Sequence, residues 1–499
     1  MKRMLSLTLA VLLALAMFAV TASAEEERNT ITLMMQGDNT VTETNLVLEE
    51  VRARTGINLV VNYISSGDYD TKLNTLIAAD TLPDIFSTRG QTAIDLRDAG
   101  KLLDFSPYLE EYGPDILASY DEGELEQLII NGNGGVYGLN NRAGKSINTL
   151  LIRKDWLEKV GLDVPATADE LYEVMRAFTF DDPDGNGQND TYGYVAALAA
   201  DPTWEHVFSA FGIAYRKTVQ LEDGTVTTYM KHENYLKVIE FLRTLYQEGI
   251  MDPDFATMTQ MESFERFWTG KVGMFNWNSV GAGRNWYPGR YVFETPENPA
   301  DLFACVRIEN EDTGLLSGGI KPYASLTEYS AVIAASCEHP EDAVKLINYI
   351  YYTEEGQDLT YFGIEGVMYQ WIDRANGVYE RIGEYADDVT HRAAGAFVYN
   401  GNGGWTFNCS SSRTYNAFAM ASQAEEREYQ LDYCFIPVTL DSYTEYGTQL
   451  AEIEKEALAN LIVTTGDYEA EYAEYVARWD IEGGSAYEAE LTEWWNANR

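Results

Sequence analysis

The sequence predicts an α/β protein built on a doubly wound parallel sheet. Three observations predict it. Strand-like and helix-like segments alternate strictly from residue 30 to residue 86. The links between the strands are long enough to carry helical crossovers, which parallel pairing requires. Further amphipathic helices and short apolar strands recur down the chain, ending in a helical run.

The elements follow in order. Thr30 to Met35 is a short apolar strand, ended by Gln36-Gly37-Asp38-Asn39. Thr44 to Thr55 has helical spacing and Gly56 closes it. Ile57 to Tyr63 alternates and is β-branched, a second strand. Asp68 to Ala79 is a helix, and Asp84-Ile85-Phe86 a third strand. Right-handed crossovers make these strands parallel, and ligands of such sheets bind beyond the carboxyl ends. Those ends are Gly37-Asp38-Asn39 and Ser87-Thr88-Arg89. Residues 131–145 hold five glycines, a loop or hinge composition, without the G-x-x-x-x-G-K-[ST] spacing of a phosphate cradle. A strand (Thr149 to Arg153) and a helix (Asp155 to Val160) come next. Thr167 and Glu170 have capping-box spacing for another helix. Asn234 to Glu248 is an amphipathic helix, Lys271 to Asn276 a strand, Tyr329 to Ala335 a strand and Pro340 to Tyr352 a helix. From Tyr443 the chain reads as three helices, broken near Gly466 and Gly483-Gly484.

Composition narrows the function. The 499 residues carry 35 Lys+Arg against 79 Asp+Glu, a formal net charge of −44. A phosphate-backbone binder needs the opposite field, so nucleic acid is excluded, and an anionic membrane surface with it. Aromatics reach 13%, with 34 Tyr and 10 Trp; such rings pack cores and also stack on sugars. Lys2-Arg3, the apolar run Leu5 to Val20 and Ala22-Ser23-Ala24 read as a secretory leader cleaved after Ala24. The apolar run falls short of the ~20 residues of a spanning helix. The chain is therefore expected outside the cytoplasm, without membrane insertion. The first cysteine is Cys305, so no thiol stands at the cleavage point to take a lipid. Cys305, Cys337, Cys409 and Cys434 permit three pairings, and the sequence leaves them open.

Residues 182–190 predict a calcium loop. Asp182, Asp184 and Asn186 stand at positions 1, 3 and 5, Gly187 at 6, the Gln188 carbonyl at 7 and Asp190 at 9. Alternating oxygens around a glycine turn suit a hard cation with 6–8 oxygen ligands. Position 12 is Gly193 where an EF-hand has a bidentate Glu; Thr191, water or another segment is left to complete the shell. The expected role is structural.

Several stretches together resemble one family. They are Lys72 to Ile85, Ile152 to Leu157 with Gly161-Leu162, Asp182 to Gly193, Leu245 to Pro253, Gly270 to Phe275, and Gly466 to Trp494. Each is short, but their order and spacing are similar to those of extracellular solute-binding proteins of ATP-driven (ABC-type) carbohydrate importers. The likeness is to the large, often lipoprotein-type branch and to alginate-oligosaccharide-binding proteins. It implies two α/β lobes of the periplasmic-binding-protein type with a sugar in the cleft between them, and a helical C-terminal segment. The first lobe would take residues 25–148 and 325–370, the second 149–324 and 371–499. The resemblance places Asp38 and Asn39 in a first-lobe binding loop and Trp277 as a stacking wall in the second lobe. Trp204 and Trp405 fall near two further aromatic contact positions.

The residues themselves support part of this. Trp277 follows an apolar strand and precedes Asn278, so an indole face and an amide adjoin at a strand's carboxyl end. Arg89 and Arg142 offer forked guanidinium groups for a carboxylate. Core packing competes for each Trp and ion pairing for each Arg. A glycoside hydrolase needs two carboxylates across one sugar bond, and no motif singles out a pair. The expectation is a non-enzymatic, monomeric oligosaccharide carrier that delivers its ligand to an importer's membrane permease. The competing readings are a secreted glycoside hydrolase and a ligand-binding subunit of a sensor or adhesion system.

Overall fold

The structure is a computed structural model. It describes residues 28–36, 46–65, 67–120, 134–140, 148–278, 302–310, 330–374, 378–394 and 440–498, with short pieces within 125–129, 314–320 and 431–438. Its strands are β1 (Thr30–Gln36), β2 (Asn58–Ile64), β3 (Ile85–Thr88), β4 (Leu139–Asn140), β5 (Asn148–Arg153), β6 (Thr218–Gln220), β7 (Val226–Thr228), β8 (Met274–Asn278), β9 (Phe303–Val306), β10 (Ser330–Ile333), β11 (Tyr369–Asp373) and β12 (Val378–Arg381).

The first sheet has the order β2-β1-β3-β10-β4. β1 pairs in parallel with β2 along its whole length and with β3. The crossovers are the helices Leu46–Thr55 and Tyr69–Ala79. β10 runs antiparallel to both β3 and β4, so the sheet is mixed where a purely parallel one was expected. The reason is topological: β10 arrives from the second unit, not through a local crossover. Side chains alternate across the sheet, as a strand's period of two requires. Ile31, Leu33 and Met35 join one buried layer with Ile85 and Ile333, while Met34 joins Phe86 and Val332 in the other. Helices cover both layers, which is why these strands read as nearly continuous apolar runs.

The second sheet has the order β8-β5-β9, antiparallel throughout. One face carries Leu150, Ile152, Met274 and Val306 into the largest core. The other carries Phe275 and Phe303 against Phe264, Phe267 and Trp268. Gly273 has a packing reason, since a Cβ there would collide with Trp156 and Phe178. Those two rings meet edge to face with centroids 5.2 Å apart.

The C-terminal helices Asp441–Val463 and Tyr468–Trp479 bury Leu450, Ile453, Leu461, Ile462 and Trp479 in the same large core, and the helix Ser485–Asn498 buries Leu491 in a smaller cluster with Val226, Cys434 and Leu440. The three-helix reading with breaks near Gly466 and Gly483 holds. One expected boundary moves. The resemblance implies a second lobe from residue 371 onward, yet Tyr385 and Ala394 pack on the first core. The Ile382 N–H donates to the Met368 carbonyl at 3.0 Å, and His391 Nε2 lies 2.9 Å from the Phe362 carbonyl. The β11-β12 hairpin is thus an extension of the first unit, carried by an aromatic cluster of Phe362, Tyr369, Trp371 and Tyr379. Cys337 is a free thiol, and Cys409 lies outside the described residues.

Candidate functional site

The first sheet gathers three chain exits along one edge. β1 and β3 are parallel, so residues 37–39 and Arg89 leave from the same carboxyl edge. Asn140 pairs with Ser330, and Ser330 with Thr88, so residue 141 leaves from that edge too. Asp84 locks the arrangement: its Oδ2 accepts the Thr32 N–H at 2.8 Å and the Thr32 hydroxyl at 2.6 Å. Nearer the edge, the Tyr69 hydroxyl accepts the Ser87 N–H at 2.9 Å. Asp84 therefore ties the start of β3 to β1 and fixes the register between them.

Residues 141–147 connect that edge to the start of β5. Asn148 and Thr149 of β5 pair with Asn278 and Trp277 of β8. Covalent geometry limits the eight steps from Asn140 to Asn148 to about 28 Å. Asn148, the partner of Asn278, therefore lies no farther than that from Asn140. Of Trp277 and Asn278 the backbone alone is described. Asp38, Asn39, Arg142 and Trp405 lie outside the described residues. Arg89 is exposed at the start of the Gly90–Asp98 helix, 3.6 Å from Asp70.

Trp204 is a correction. It is fully buried and its indole N–H donates to the Ala197 carbonyl at 2.9 Å. Tyr194, Tyr215 and Phe255 surround it with ring centroids 6.0–6.4 Å away. An aromatic face spent on the core is not open to a sugar. The sequence signal misled because a Trp on an amphipathic helix looks the same in either role.

Sequence reasoning passed over two residues beneath β8. Asn276 is buried one position before Trp277, and His206 lies beside it. His206 Nε2 accepts the Leu150 N–H at 3.1 Å, which ties the Pro202–Ala210 helix to β5. Burial pushes the imidazole down to about 3, so it is neutral and available as that acceptor. A polar residue inside the apolar run Met274-Phe275-Asn276-Trp277 was the signal for this pair.

The acidic loop folds around internal donors. Asp182 takes a left-handed φ of 49°, with Gly185 at 72° and Gly187 at 75°. The Gly187 N–H donates to the Asp182 carboxylate at 3.2 Å and the Gln188 N–H to Asn186 Oδ1 at 2.7 Å. The Asn186 amide nitrogen bonds Asp184 at 2.8 Å and Asp190 at 3.0 Å, so two carboxylates converge on one small donor. Lys271 bonds the other Asp190 oxygen. These two donors hold the Asp190 carboxyl below its ordinary range, Lys271 contributing most. Among the described residues, no three His, Cys, Asp or Glu side chains stand grouped as metal ligands. The donor set itself suits a hard cation, which would take the oxygens now held by the amide and the ammonium. Gly193 cannot be a glutamate, because a Cβ there would strike the Met175 carbonyl. The Thr191 hydroxyl donates to the Phe178 carbonyl at 2.8 Å, so it faces the helix and not the loop.

The described residues form two α/β units, each built on its own sheet. The chain belongs to the family of bacterial extracellular solute-binding proteins, whose pattern it matches over residues 38–357. It is 24% identical to Lipoprotein LipO of Bacillus subtilis over 493 residues, covering 96% of this chain and 94% of LipO. It is 28% identical over 259 residues to the fructooligosaccharide ABC transporter substrate-binding protein FusA of Streptococcus pneumoniae, 48% of this chain and 46% of FusA. Among solved structures, an HMO binding ABC-transporter associated solute-binding protein from Bifidobacterium longum infantis superposes with a TM-score of 0.68 at 18% identity, covering 94% of this chain and 99% of that one. An EF-hand mutant of FusA in complex with fructo-nystose does so at 0.62 and 19% identity, covering 94% and 100%. These structural likenesses establish the two-lobed fold.

Proposed function

We propose that this protein is a non-enzymatic oligosaccharide carrier that hands its ligand to the permease of an ABC importer. The observation that carries the reading is the match to the extracellular solute-binding family over residues 38–357, together with β1, β3 and β4 ending on one edge of the first sheet. FusA, named for fructooligosaccharide, supports the ligand class. Trp277 supplies a stacking face, Asn278, Asp38 and Asn39 bind hydroxyls, and Arg89 and Arg142 meet a charged group where the sugar has one. Trp405 is a second aromatic contact. Two lobes divide the chain as the sequence suggests, save that residues 371–394 go with the first, and the protein acts as a monomer outside the cytoplasm after loss of its leader at Ala24.

Calcium is proposed at Asp182, Asp184, Asn186, the Gln188 carbonyl and Asp190, as a brace for the second lobe. The donor set supports it, and one solved FusA is titled an EF-hand mutant. The metal would supply charge balance for three carboxylates and no catalysis.

The test is calorimetric titration of the mature chain with neutral and uronate-containing oligosaccharides, followed by analysis of the sugar. Saturable binding with the sugar recovered intact is expected. Continuing release of cleaved product would replace the carrier with a hydrolase. Trp277→Ala should cost on the order of 1–3 kcal/mol of affinity, by analogy with other aromatic stacking platforms, and leave the melting transition in place.

A further inference from the structure

Three polar atoms lie buried in the second unit, beside the end of β8. They are Oδ1 and Nδ2 of Asn276 and Nδ1 of His206, and among the described residues none of them has a hydrogen-bond partner. Asn276 is 5% exposed and His206 2%. Asn276 shares a strand face with Met274. Met274 packs in the largest core with Val207 and Phe208, the neighbours of His206 in its helix. Orphaned polar atoms in such a core cost stability, and an apolar side chain of the same shape would not. Packing therefore does not explain an asparagine at this position.

The strand register shows what the pair can do. Leu150 of β5 pairs with Asn276 of β8, and the imidazole meets both members of that rung. His206 Nε2 accepts the Leu150 N–H at 3.1 Å, which puts the ring proton on Nδ1. Burial holds the ring neutral, and the Asn276 amide stands close enough to work against it, though outside hydrogen-bond geometry. The next rung is Thr149 with Trp277 and the last is Asn148 with Asn278. Asn148 also receives residues 141–147 from the first sheet. The clamped rung thus sits directly behind the proposed stacking residue and behind the connection between the units.

A polar contact is directional where apolar contacts slide. Binding residues are held in place by such supporting groups, often at some cost in stability. We propose that Asn276 is a positioning residue of the sugar site, the arm through which His206 sets where the end of β8 holds Trp277 and Asn278. This role rests on the carrier reading above and deepens it.

The test is Asn276→Leu in the full mature chain, unfolded in denaturant and titrated by calorimetry with kestose and with a galacturonate trisaccharide. Leucine has the same branching and heavy-atom count, and the Leu150–His206 bond stays. Stability at or above the native value is expected, with affinity about tenfold weaker for whichever sugar the native chain binds, the scale of one well-placed polar contact. In a Trp277→Ala background the same change should weaken binding less than about twofold, because the residue it positions is gone. Unchanged affinity, at any stability, would make Asn276 a structural residue and overturn the proposal. A full tenfold loss in the Trp277→Ala background would overturn it equally. If the variant is both less stable and weaker in binding, that background decides between the two roles. If Asn276→Leu does not fold, Asn276→Thr carries the same readouts. A native chain that binds neither sugar removes the carrier reading and this proposal with it, whereas native binding that the variant leaves untouched removes this proposal alone.

Discussion

Glu454 should make the protein less stable as pH rises from about 4.5 to about 7, and Glu454→Gln should remove that dependence. Glu454, on the Asp441–Val463 helix, is half-buried and meets Thr228 and Trp479, with Tyr215, Tyr229 and Tyr235 near enough to feel its charge. The Thr228 hydroxyl donates to its Oε1 at 2.5 Å and the Trp479 indole N–H to the same oxygen at 3.2 Å. Burial outweighs these donors and the charge of Arg216, and it raises the carboxyl from 4.5 to about 7. A raised carboxyl pKa means the fold prefers the protonated form. Stability is therefore highest below the unfolded value, declines as pH climbs from about 4.5 to 7, and levels off above. The difference of about 2.5 pKa units corresponds to about 3 kcal/mol. Glutamine keeps the acceptor for both donors and carries no charge. The variant's advantage over the native chain should grow by about 3 kcal/mol between pH 4.5 and pH 8. Denaturant unfolding of both chains across that range measures it. An advantage that stays flat with pH would show that Glu454 is not the neutral acid described here.

Three further outcomes are expected. Chelation of the native chain should lower its melting temperature, and Asp184→Ala should melt at the chelated value with or without calcium; sugar affinity should survive below melting, and its loss with the fold intact would move the metal into the sugar site. Lys271→Met should bind calcium more tightly than the native chain, because the Asp190 oxygen held by the ammonium is freed; unchanged affinity in a calcium titration would end that argument. Trp204→Ala should cost about 3–5 kcal/mol of stability while the folded fraction binds sugar normally; a selective loss of sugar affinity would restore Trp204 to the cleft.

Local chemistry was legible in the chain. The βαβαβ order, the Thr167 cap, the break before Asp467 and the C-terminal helices all follow from periodicity and turn residues within a few positions. At the Ala168–Phe180 helix, the Glu170 N–H does donate to Thr167 Oγ1, at 3.2 Å. The Asp182–Asp190 loop was readable for the same reason, since its donors are consecutive in sequence. What the sequence could not determine depends on contacts between residues far apart. β10 enters the first sheet antiparallel after nearly 200 residues spent elsewhere. Residues 378–394 return to the first core because the aromatic cluster around Phe362 holds their hairpin there. Trp204 became core because Tyr194, Tyr215 and Phe255 close around it. Lys271, more than 80 residues from Asp190, became part of the acidic loop only when the second sheet formed. A residue's type limits what it can bind, but burial and partners decide what it does, and both are properties of the folded chain.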